Sequence, residues 1–375
     1  TQPLLYTTGG ILDEVIPPSC HGWIVHQGRL FGIAGDQRTV WASKVFLEDP
    51  TVFPGFHEAL RIVFEDEVVA LASLDDKLVA FSDSSIHVVF GEGPSAAGAG
   101  AWTSPTTVQS DAGCINERSI VEVPAGIMFQ SARGIYLLTR GLELQWIGQP
   151  VRDHVEAYPI VLDARIVPHR SQVRYSMANA EGTAGVVLVY DYAHGFWSVW
   201  DYHDGEQPNA LVRSSVVAGG ALYMTAADAL VRESDETHLD RGEYWVTLEL
   251  EAMLRPSGPI AWQHVRRIQL LGERHTHHDL RLRLAFDDRP TFSQDFTFPA
   301  EMVVTNNDCP TVRVGSQNGA SPKCKAIRVR VTDATPTSPT SYPVDSGKGG
   351  SWSAIGLELI PRPGLPRHGA RHSKV

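Results

Sequence analysis

The chain has 375 residues, of which 43% are hydrophobic and 20% charged, values typical of an ordinary globular protein. Its formal net charge of −11 argues against a general nucleic-acid-binding surface, because phosphate contacts need Lys and Arg. No run of 18 apolar residues free of charges occurs, so no membrane-spanning helix is predicted.

The first residues, TQPLLYTTGG, contain neither an initiator Met nor the basic and apolar pattern of a signal peptide. We therefore expect residues 1–22 to be an amino-terminal extension whose upstream part is missing or has been cleaved.

A sequence pattern then recurs five times between residues 23 and 240. Each copy has a small or polar turn, a run of strand-forming residues, a polar hairpin tip and a second strand. A small sheet cannot bury both of its faces alone, so this period is typical of four-stranded β-propeller blades stacked around an axis. The copies are anchored at Leu30, Leu78, Ile127, Val173 and Leu222, with successive steps of 48, 49, 46 and 49 residues.

Two unrelated β-sandwiches with evenly spaced hairpins remain the alternative, but five copies at near-constant spacing favour the propeller. The number of blades stays open. Helix is scarce in the pattern. Only residues 150–158, with apolar side chains at Val151 and Val155, fit two helical turns.

The pattern changes after the last repeat, and residues 241–360 predict an antiparallel β-sandwich or barrel-like domain. In the segment RLRLAF, Arg281 and Arg283 face one way while Leu282 and Leu284 face the other. This strict alternation indicates strands with one solvated and one buried face.

Two segments of this half are not expected to form strands. Residues 333–351 are rich in Pro, Ser, Thr and Gly and predict a loop. Residues 361–375 contain Arg and Lys but no acidic residue, which indicates a basic tail. Such a tail is either flexible or docks on an acidic neighbouring subunit.

Several short stretches resemble functional sites, and for each a structural role is favoured. His275–His278 could hold a metal, but a polar hairpin tip explains the cluster equally well. Gly91–Trp102 lacks the Lys-Ser/Thr of a phosphate loop and predicts a mobile loop. Phe196–Tyr202 is expected to pack between blades rather than stack on sugars or bases. The pairs Asp75–Asp76 and Asp287–Asp288 are expected at hairpin turns. No catalytic, cofactor-binding or metal-binding residue is therefore predicted.

The four cysteines, Cys20, Cys114, Cys309 and Cys324, are scattered and form no CxxC motif. A disulfide between the last two is conceivable from their spacing. Reduced thiols in a protein made in a cytosol are favoured.

The segment from Ala70 to Val151 resembles the propeller portion of the tail nozzle proteins of short-tailed bacteriophages, including the group described as packaged-DNA stabilisation proteins. Similar strand-and-turn features continue in VYDYAHGFWSVWD and in the strands around Arg281. The residues that carry the resemblance are Phe81, Ser84-Ser85-Ile86, Gly91, Gly113, Arg118-Ser119, Gly126-Ile127, Phe129-Gln130-Ser131, Gly134-Ile135-Tyr136, Gly148 and Val151.

The resemblance implies a structural virion protein without enzymatic activity or cofactor. It would form a ring, usually of six subunits, that meets the tail adaptor and the tail fibres or spikes. Phage DNA would leave through its channel without sequence-specific binding, and an acidic channel wall would prevent sticking. We expect such a protein in the phage tail, assembled in the host cytoplasm.

Two alternatives belong to other classes. One is a propeller enzyme such as a glycoside hydrolase or lyase, which would need two or three carboxylates about 5 to 9 Å apart at the channel mouth. The repeats place no acids at visibly matching positions, which weighs against this alternative. The other is a propeller scaffold that binds partner proteins on one face. The fold alone does not choose among these functions.

Overall fold

The computed structural model shows an all-β protein. It describes the chain in several segments. Two compact units are present, Thr1–Glu233 and Ser234–Val375. Within the described segments no helix has the length and hydrophobicity needed to cross a membrane. The described residues are 15–45, 55–95, 98–109, 111–202, 209–226, 229–234, 239–240, 244–245, 248–255, 263–274, 279–287, 289–298, 311–314, 323–334 and 350–361.

The first unit is a β-propeller whose described part contains five consecutive antiparallel sheets. In every sheet the strands lie side by side in chain order, so each sheet is one blade. Blade 1 contains β1 (Cys20–His26), β2 (Arg29–Ala34), β3 (Thr39–Ser43) and β4 (Phe56–Val63); blade 2 contains β5 (Ala70–Leu74), β6 (Lys77–Phe81), β7 (Ile86–Phe90) and β8 (Thr106–Gln109); blade 3 contains β9 (Val121–Val123), β10 (Gly126–Ser131), β11 (Gly134–Thr139) and β12 (Leu144–Trp146); blade 4 contains β13 (Ile160–Val167), β14 (Gln172–Ala178), β15 (Gly185–Asp191) and β16 (Phe196–Trp200); blade 5 contains β17 (Val212–Ala218), β18 (Ala221–Ala226) and β19 (Ala229–Arg232).

Apolar layers between successive blades hold the propeller together. The repeat anchor of each blade is the second residue of its second strand, and from blade 2 onward it packs against the preceding blade. Leu78 lies in the core between blades 1 and 2, and Leu222 in the core between blades 4 and 5. Leu30 is only half-buried, beside Trp41 and Phe56 on the other face of blade 1. From blade 2 onward the anchors therefore repeat because each fills the same inter-blade position, and the two-sandwich alternative is wrong.

Helical structure in the described part of the chain is limited to short turns at the ends of strands. Between blades 3 and 4, a 3-10 turn at Gln149–Val151 leads into α1 (Arg152–Ala157). Val151 and Val155 are buried in the core between these blades, which explains their spacing. Two further 3-10 turns lie at Glu117–Ser119 and Pro168–Arg170.

The described part of the second unit contains two four-stranded antiparallel sheets and a short hairpin. The alternation predicted for RLRLAF is present: Leu282 and Leu284 are buried in a core built from both sheets, while Arg281 is exposed. The predicted sandwich is therefore confirmed. Its strands are β20 (Leu239–Asp240), β21 (Tyr244–Trp245), β22 (Leu248–Leu254), β23 (Gln263–Arg274), β24 (Asp279–Phe286), β25 (Gln294–Phe298), β26 (Thr311–Arg313), β27 (Lys323–Cys324), β28 (Ile327–Ala334) and β29 (Gly350–Pro361).

Several predictions concern residues that the structure does not describe. The His275–His278 cluster, Cys309 of the suggested disulfide and residues 362–375 of the basic tail lie outside the described residues. Most of the predicted loop at 333–351 also lies outside them.

Candidate active site at the axial mouth of the propeller

The first strands of the blades line the propeller axis. β1 contacts β5, and β13 contacts both β9 and β17. Because every blade repeats the same strand order, these first strands all begin at the same end of the axis. We call this end the axial mouth; it holds the segments that join one blade to the next.

Three of these first strands are bulged near the axial mouth. The register shifts between His21 and Ile24 in β1, between Val161 and Asp163 in β13, and between Val212 and Ser214 in β17. A bulge bends a strand and changes the direction of a side chain, and bulges are frequent beside active sites. Local backbone chemistry explains one of these bulges. Gly22, within the bulge of β1, has a φ of +59°, a conformation that favours glycine.

Asp163 of blade 4 lies at the bulge of β13, near the axial mouth. Its Oδ2 accepts hydrogen bonds from the backbone N–H of Ser215, at 2.8 Å, and from the Ser215 hydroxyl. Its Oδ1 accepts one from Nη2 of Arg165 at 3.1 Å. The Asp163 side chain is 14% exposed, whereas that of Arg165 is 44% exposed. Because these described partners are all donors, Asp163 is held as a hydrogen-bond acceptor beside the axis.

Glu117 is a carboxylate of the axial mouth and lies in the 3-10 turn that precedes β9 of blade 3. Asn116 fixes this turn: its Oδ1 accepts from the N–H of Arg118, and its Nδ2 donates to the carbonyl of Val161 at 2.8 Å. A methyl group added at Gly22 would lie 3.8 Å from Oε2 of Glu117. The exposed Glu117 side chain therefore reaches β1 from a turn that is tied to the start of β13.

The arrangement brings two acids of different blades to one end of the axis. Glycoside hydrolysis uses two carboxyl groups, one as base or nucleophile and one as proton donor. The described residues contain no group of three or more His, Cys, Asp and Glu side chains with the geometry of a metal site.

A second polar cluster lies in blade 2 and has a structural explanation. Nε2 of buried His87 contacts Oδ2 of Asp66 at 3.1 Å and Oγ of Ser85 at 2.9 Å, and Nδ1 contacts Oγ1 of Thr107 at 3.1 Å. Ser85 and Asp66 share one ring nitrogen, so the imidazole does not relay a proton between them as in a serine triad. The cluster ties the loop before β5 to β7 and β8. The Ser85 hydrogen bond is the main reason why the pKa of Asp66 is lowered.

A groove of about 470 Å³ lies on the face of blade 1 that also carries Leu30. Asp36, its acidic residue, accepts hydrogen bonds from the backbone N–H groups of Arg38 and Thr39 and from the Thr39 hydroxyl. This carboxylate supports the turn between β2 and β3. The groove is lined by Pro18, Ser19, Ala34, Gly35, Asp36, Thr39, Trp41 and Arg61.

The aromatic stretch and the glycine-rich loop are packed against the blades. Trp197 donates from Nε1 to the carbonyl of Ile147 at 2.8 Å, which confirms the predicted packing between blades 3 and 4. Gly91–Trp102 lies in the predicted loop between two strands, β7 and β8. The Trp102 ring covers Gly93, and buried Arg29 donates to the carbonyl of Pro94 at 2.5 Å.

The predicted acidic turn residues take structural positions. Asp75 has a φ of +56° in the turn between β5 and β6 and pairs with Arg140. Asp76 accepts a hydrogen bond from Lys77 at 2.9 Å. Asp287 accepts one from the N–H of Lys325 at 2.7 Å, and Asp288 lies outside the described residues.

Glu117 and Asp163 belong to no recognised motif, and the sequence interpretation missed them. A signal was nevertheless present. Glu117 lies ten residues before the anchor Ile127, and Asp163 lies ten residues before the anchor Val173. Their structural positions nevertheless differ, since Glu117 lies in a 3-10 turn and Asp163 lies in β13.

Of the comparisons with known proteins, only the comparison with solved structures finds similar chains. No family model and no curated protein matches the chain. One similar structure is an exo-β-1,3-galactanase from Phanerochaete chrysosporium with β-1,3-galactotriose, at 10% identity and a TM-score of 0.31, covering 94% of this chain and 99% of that chain. Another is named a glycoside hydrolase, at 10% identity and a TM-score of 0.27, covering 87% and 97%. These similarities transfer no residue role and no substrate.

The interpretation as a non-enzymatic tail nozzle subunit of a virion is corrected at this point. The solved structures just described are named as glycoside hydrolases, the class of one alternative offered by the sequence, and not as tail nozzle proteins. The physical reason is that alternating strands and glycine turns are properties of propeller blades, which proteins of unrelated function share. The hexameric ring, the adaptor and fibre partners and the DNA conduit followed from that interpretation and are not carried further.

Proposed function

We propose that the propeller is a glycoside hydrolase whose site lies at the axial mouth. The observation that carries this proposal is the placement of Glu117 and Asp163, from blades 3 and 4, at one end of the axis where three first strands bulge. Paired carboxylates are the chemical requirement of the reaction, and a propeller axis provides the concave site for a sugar.

The two acids take different roles. Asp163, surrounded by donors, accepts the proton of a water molecule or attacks the anomeric carbon. Glu117, exposed at the axial mouth, protonates the glycosidic oxygen as its bond to the anomeric carbon breaks. Water supplies the hydroxyl of the new reducing end, and its second proton returns to the acid–base pair.

Release of reducing ends from a panel of glycans tests the proposal. The panel contains β-1,3-galactan, xylan, arabinan and polygalacturonate, each incubated with the full chain. We expect at least one glycan to be cleaved. Asp163→Asn and Glu117→Gln should then lower the rate roughly a hundredfold or more, as expected for loss of a general base or acid.

Matched acids away from the axis are the controls. Asp76 lies in the turn between β5 and β6, and Glu143 lies in the turn between β11 and β12, both at the end of the propeller opposite the axial mouth. Asp76→Asn and Glu143→Gln should leave the rate unchanged. Cleavage of no glycan, or equal rates in the Asp163 and Glu117 variants and the wild type, would contradict the proposal.

A further inference from the structure

The backbone that leads into the bulge of β13 has an open edge on the side of blade 3. β13 is the first strand of its sheet, so among the described strands it pairs with β14 alone. Its register with β14 is regular at Ile160 and Val161 and shifts before Asp163. Val161 is buried, and a buried backbone carbonyl without a hydrogen-bond donor is costly. The carbonyls on the open edge therefore need donors from outside the sheet.

Two carboxamide side chains, one before β9 and one in β10, supply those donors. Nδ2 of Asn116 donates to the carbonyl of Val161 at 2.8 Å, and Nε2 of Gln130 donates to the carbonyl of Pro159 at 2.9 Å. Alternate residues of an extended segment direct their carbonyls to the same side. The two side chains thus take the place of a neighbouring strand along the segment that ends at the bulge.

A buried serine holds the backbone that carries both carboxamides. Oγ of Ser119 donates to the carbonyl of Asn116 at 2.6 Å and accepts from the N–H of Gln130 at 2.9 Å. Gln130 is itself buried, and Oδ1 of Asn116 accepts from the N–H of Arg118 at 3.0 Å. The two donors are therefore kept at one position relative to the start of β13.

Asn116 connects the two acids of the candidate site. Glu117 is the next residue along the chain, and Val161, whose carbonyl Asn116 binds, lies two residues before Asp163 across the register shift. Loss of this hydrogen bond therefore changes the position of Asp163 relative to Glu117. Glycoside hydrolysis depends on that position, because the distance between the two carboxyl groups decides whether a water molecule fits between them.

We propose that Asn116, supported by Gln130, is a positioning residue that sets the place of Asp163 relative to Glu117. The inference rests on the proposed function for its effect on the reaction, whereas the placement of Asp163 is measured separately through Ser215. Asn116 acts through Val161 and not through the substrate. Its loss should therefore lower the rate of the catalytic step and leave substrate binding nearly unchanged.

The variant Asn116→Ser separates the two contacts of this side chain. Serine keeps an oxygen that caps the 3-10 turn, but it has no amide donor and is too short to reach Val161. On the glycan that the full chain cleaves best, we expect kcat to fall roughly tenfold or more and KM to stay within about threefold, since a misplacement of about 1 Å can cost about a hundredfold. Rates are compared well below the unfolding transition of each variant, so that loss of folded protein does not contribute.

Hydrogen exchange of the Ser215 N–H reports the position of Asp163 without any substrate. This N–H donates to Oδ2 of Asp163 at 2.8 Å, so displacement of the carboxylate removes its protection. In Asn116→Ser we expect its exchange to be at least about threefold faster, as for a local opening. The N–H of Leu188, in the interior strand β15 of blade 4, should keep its rate.

Two further variants support this comparison. Gln130→Met removes the other donor at similar length and should change kcat and Ser215 exchange in the same direction by a smaller factor. Asn179→Ser is the matched control, because Asn179 also accepts from backbone N–H groups in a turn, between β14 and β15. Its Nδ2 donates to Glu181 and Thr183 of the same turn. Asn179→Ser should change neither readout.

The outcomes separate this inference from the proposed function. Cleavage by the wild type, with kcat and Ser215 exchange unchanged in Asn116→Ser, overturns the positioning role while the hydrolase stands. Equal changes in Asn116→Ser and Asn179→Ser also overturn it, because they show a general loosening of the axial mouth. Faster Ser215 exchange in Asn116→Ser alone, with no glycan cleaved by the wild type, supports the placement of Asp163 and overturns the hydrolase. Neither cleavage nor a change in exchange overturns both.

Discussion

Ser215 connects the candidate site to the stability of the propeller, because its hydroxyl and its N–H both donate to Asp163 of the neighbouring blade. Ser215→Ala removes one of these two donors from a carboxylate that is mostly buried. We expect the free energy of unfolding to fall by about 1.5 kcal/mol, measured by urea denaturation.

Ser214 provides the control for that measurement. Its hydroxyl contacts Thr225 of the same blade at 3.1 Å in an exposed position. Ser214→Ala should therefore cost less than Ser215→Ala. Equal losses for the two variants would show that the contact between the blades adds nothing to stability.

Asp66 makes stability depend on pH in the acid range. Its pKa in the folded chain is lowered, first by the Ser85 hydrogen bond and then by His87. A lowered folded pKa means stabilisation that is present above the unfolded value, about 3.9, and lost as pH falls through the folded value. In Asp66→Asn, unfolding measured from pH 5 to pH 3 should therefore depend less on pH than in the wild type.

The corresponding control is Asp83→Asn. Asp83 is exposed and accepts a hydrogen bond from the adjacent Ser84 at 2.9 Å. If Asp66→Asn and the wild type lose stability in parallel over this range, Asp66 does not contribute to the acid dependence.

At the scale of single elements, the loop before β9 packs closely on the turn between β6 and β7. A Cβ at Gly113 would lie 2.1 Å from the carbonyl oxygen of Ser82, and the neighbouring atoms are also backbone. Gly113→Ala must therefore move the loop or the turn, which we expect to destabilise the protein by roughly 1–3 kcal/mol.

Gly35 offers a contrasting glycine in blade 1. A Cβ at this position meets nothing within 4 Å. Gly35→Ala should change the midpoint of thermal unfolding little or raise it slightly, because alanine restricts the unfolded chain. Similar unfolding midpoints for the two alanine variants would show that the loop before β9 does not need glycine at position 113.

The sequence predicts the blades well because the anchor residues are determined by packing between the blades. Val173 and Leu222 fill equivalent inter-blade positions, so apolar residues must recur there at a near-constant interval. The candidate site could not be found by the same periodicity. Glu117 reaches β1 through a turn held by Asn116, and Asp163 is directed by a bulge. A bulge shifts the alternation of a strand by one residue, and this shift does not identify the side chain that the bulge redirects.

The glycine-rich loop shows a second limit of the sequence. Its composition predicts a loop, but not that its own Trp102 covers Gly93 or that Arg29 of blade 1 donates to its Pro94 carbonyl. Such contacts depend on which strands become neighbours in space. A composition-based prediction cannot contain them.

At the scale of the whole molecule, each compact unit contains its own apolar core. The cores of the propeller contain residues of Thr1–Glu233 alone, and the sandwich core contains residues of Ser234–Val375 alone. We therefore expect two transitions in calorimetric unfolding of the full chain, one from each unit. A single transition with equal calorimetric and van't Hoff enthalpies would contradict this expectation.

The most direct test of the central claim compares leaving groups in the two carboxylate variants. A 4-nitrophenolate leaves without a proton, so Glu117→Gln should retain much of the wild-type rate on a 4-nitrophenyl glycoside while losing activity on the natural glycan. Asp163→Asn should stay inactive on the same substrate and on the natural glycan. Equal losses on both substrates for Glu117→Gln, or full activity of Asp163→Asn, would show that these carboxylates do not form the active site.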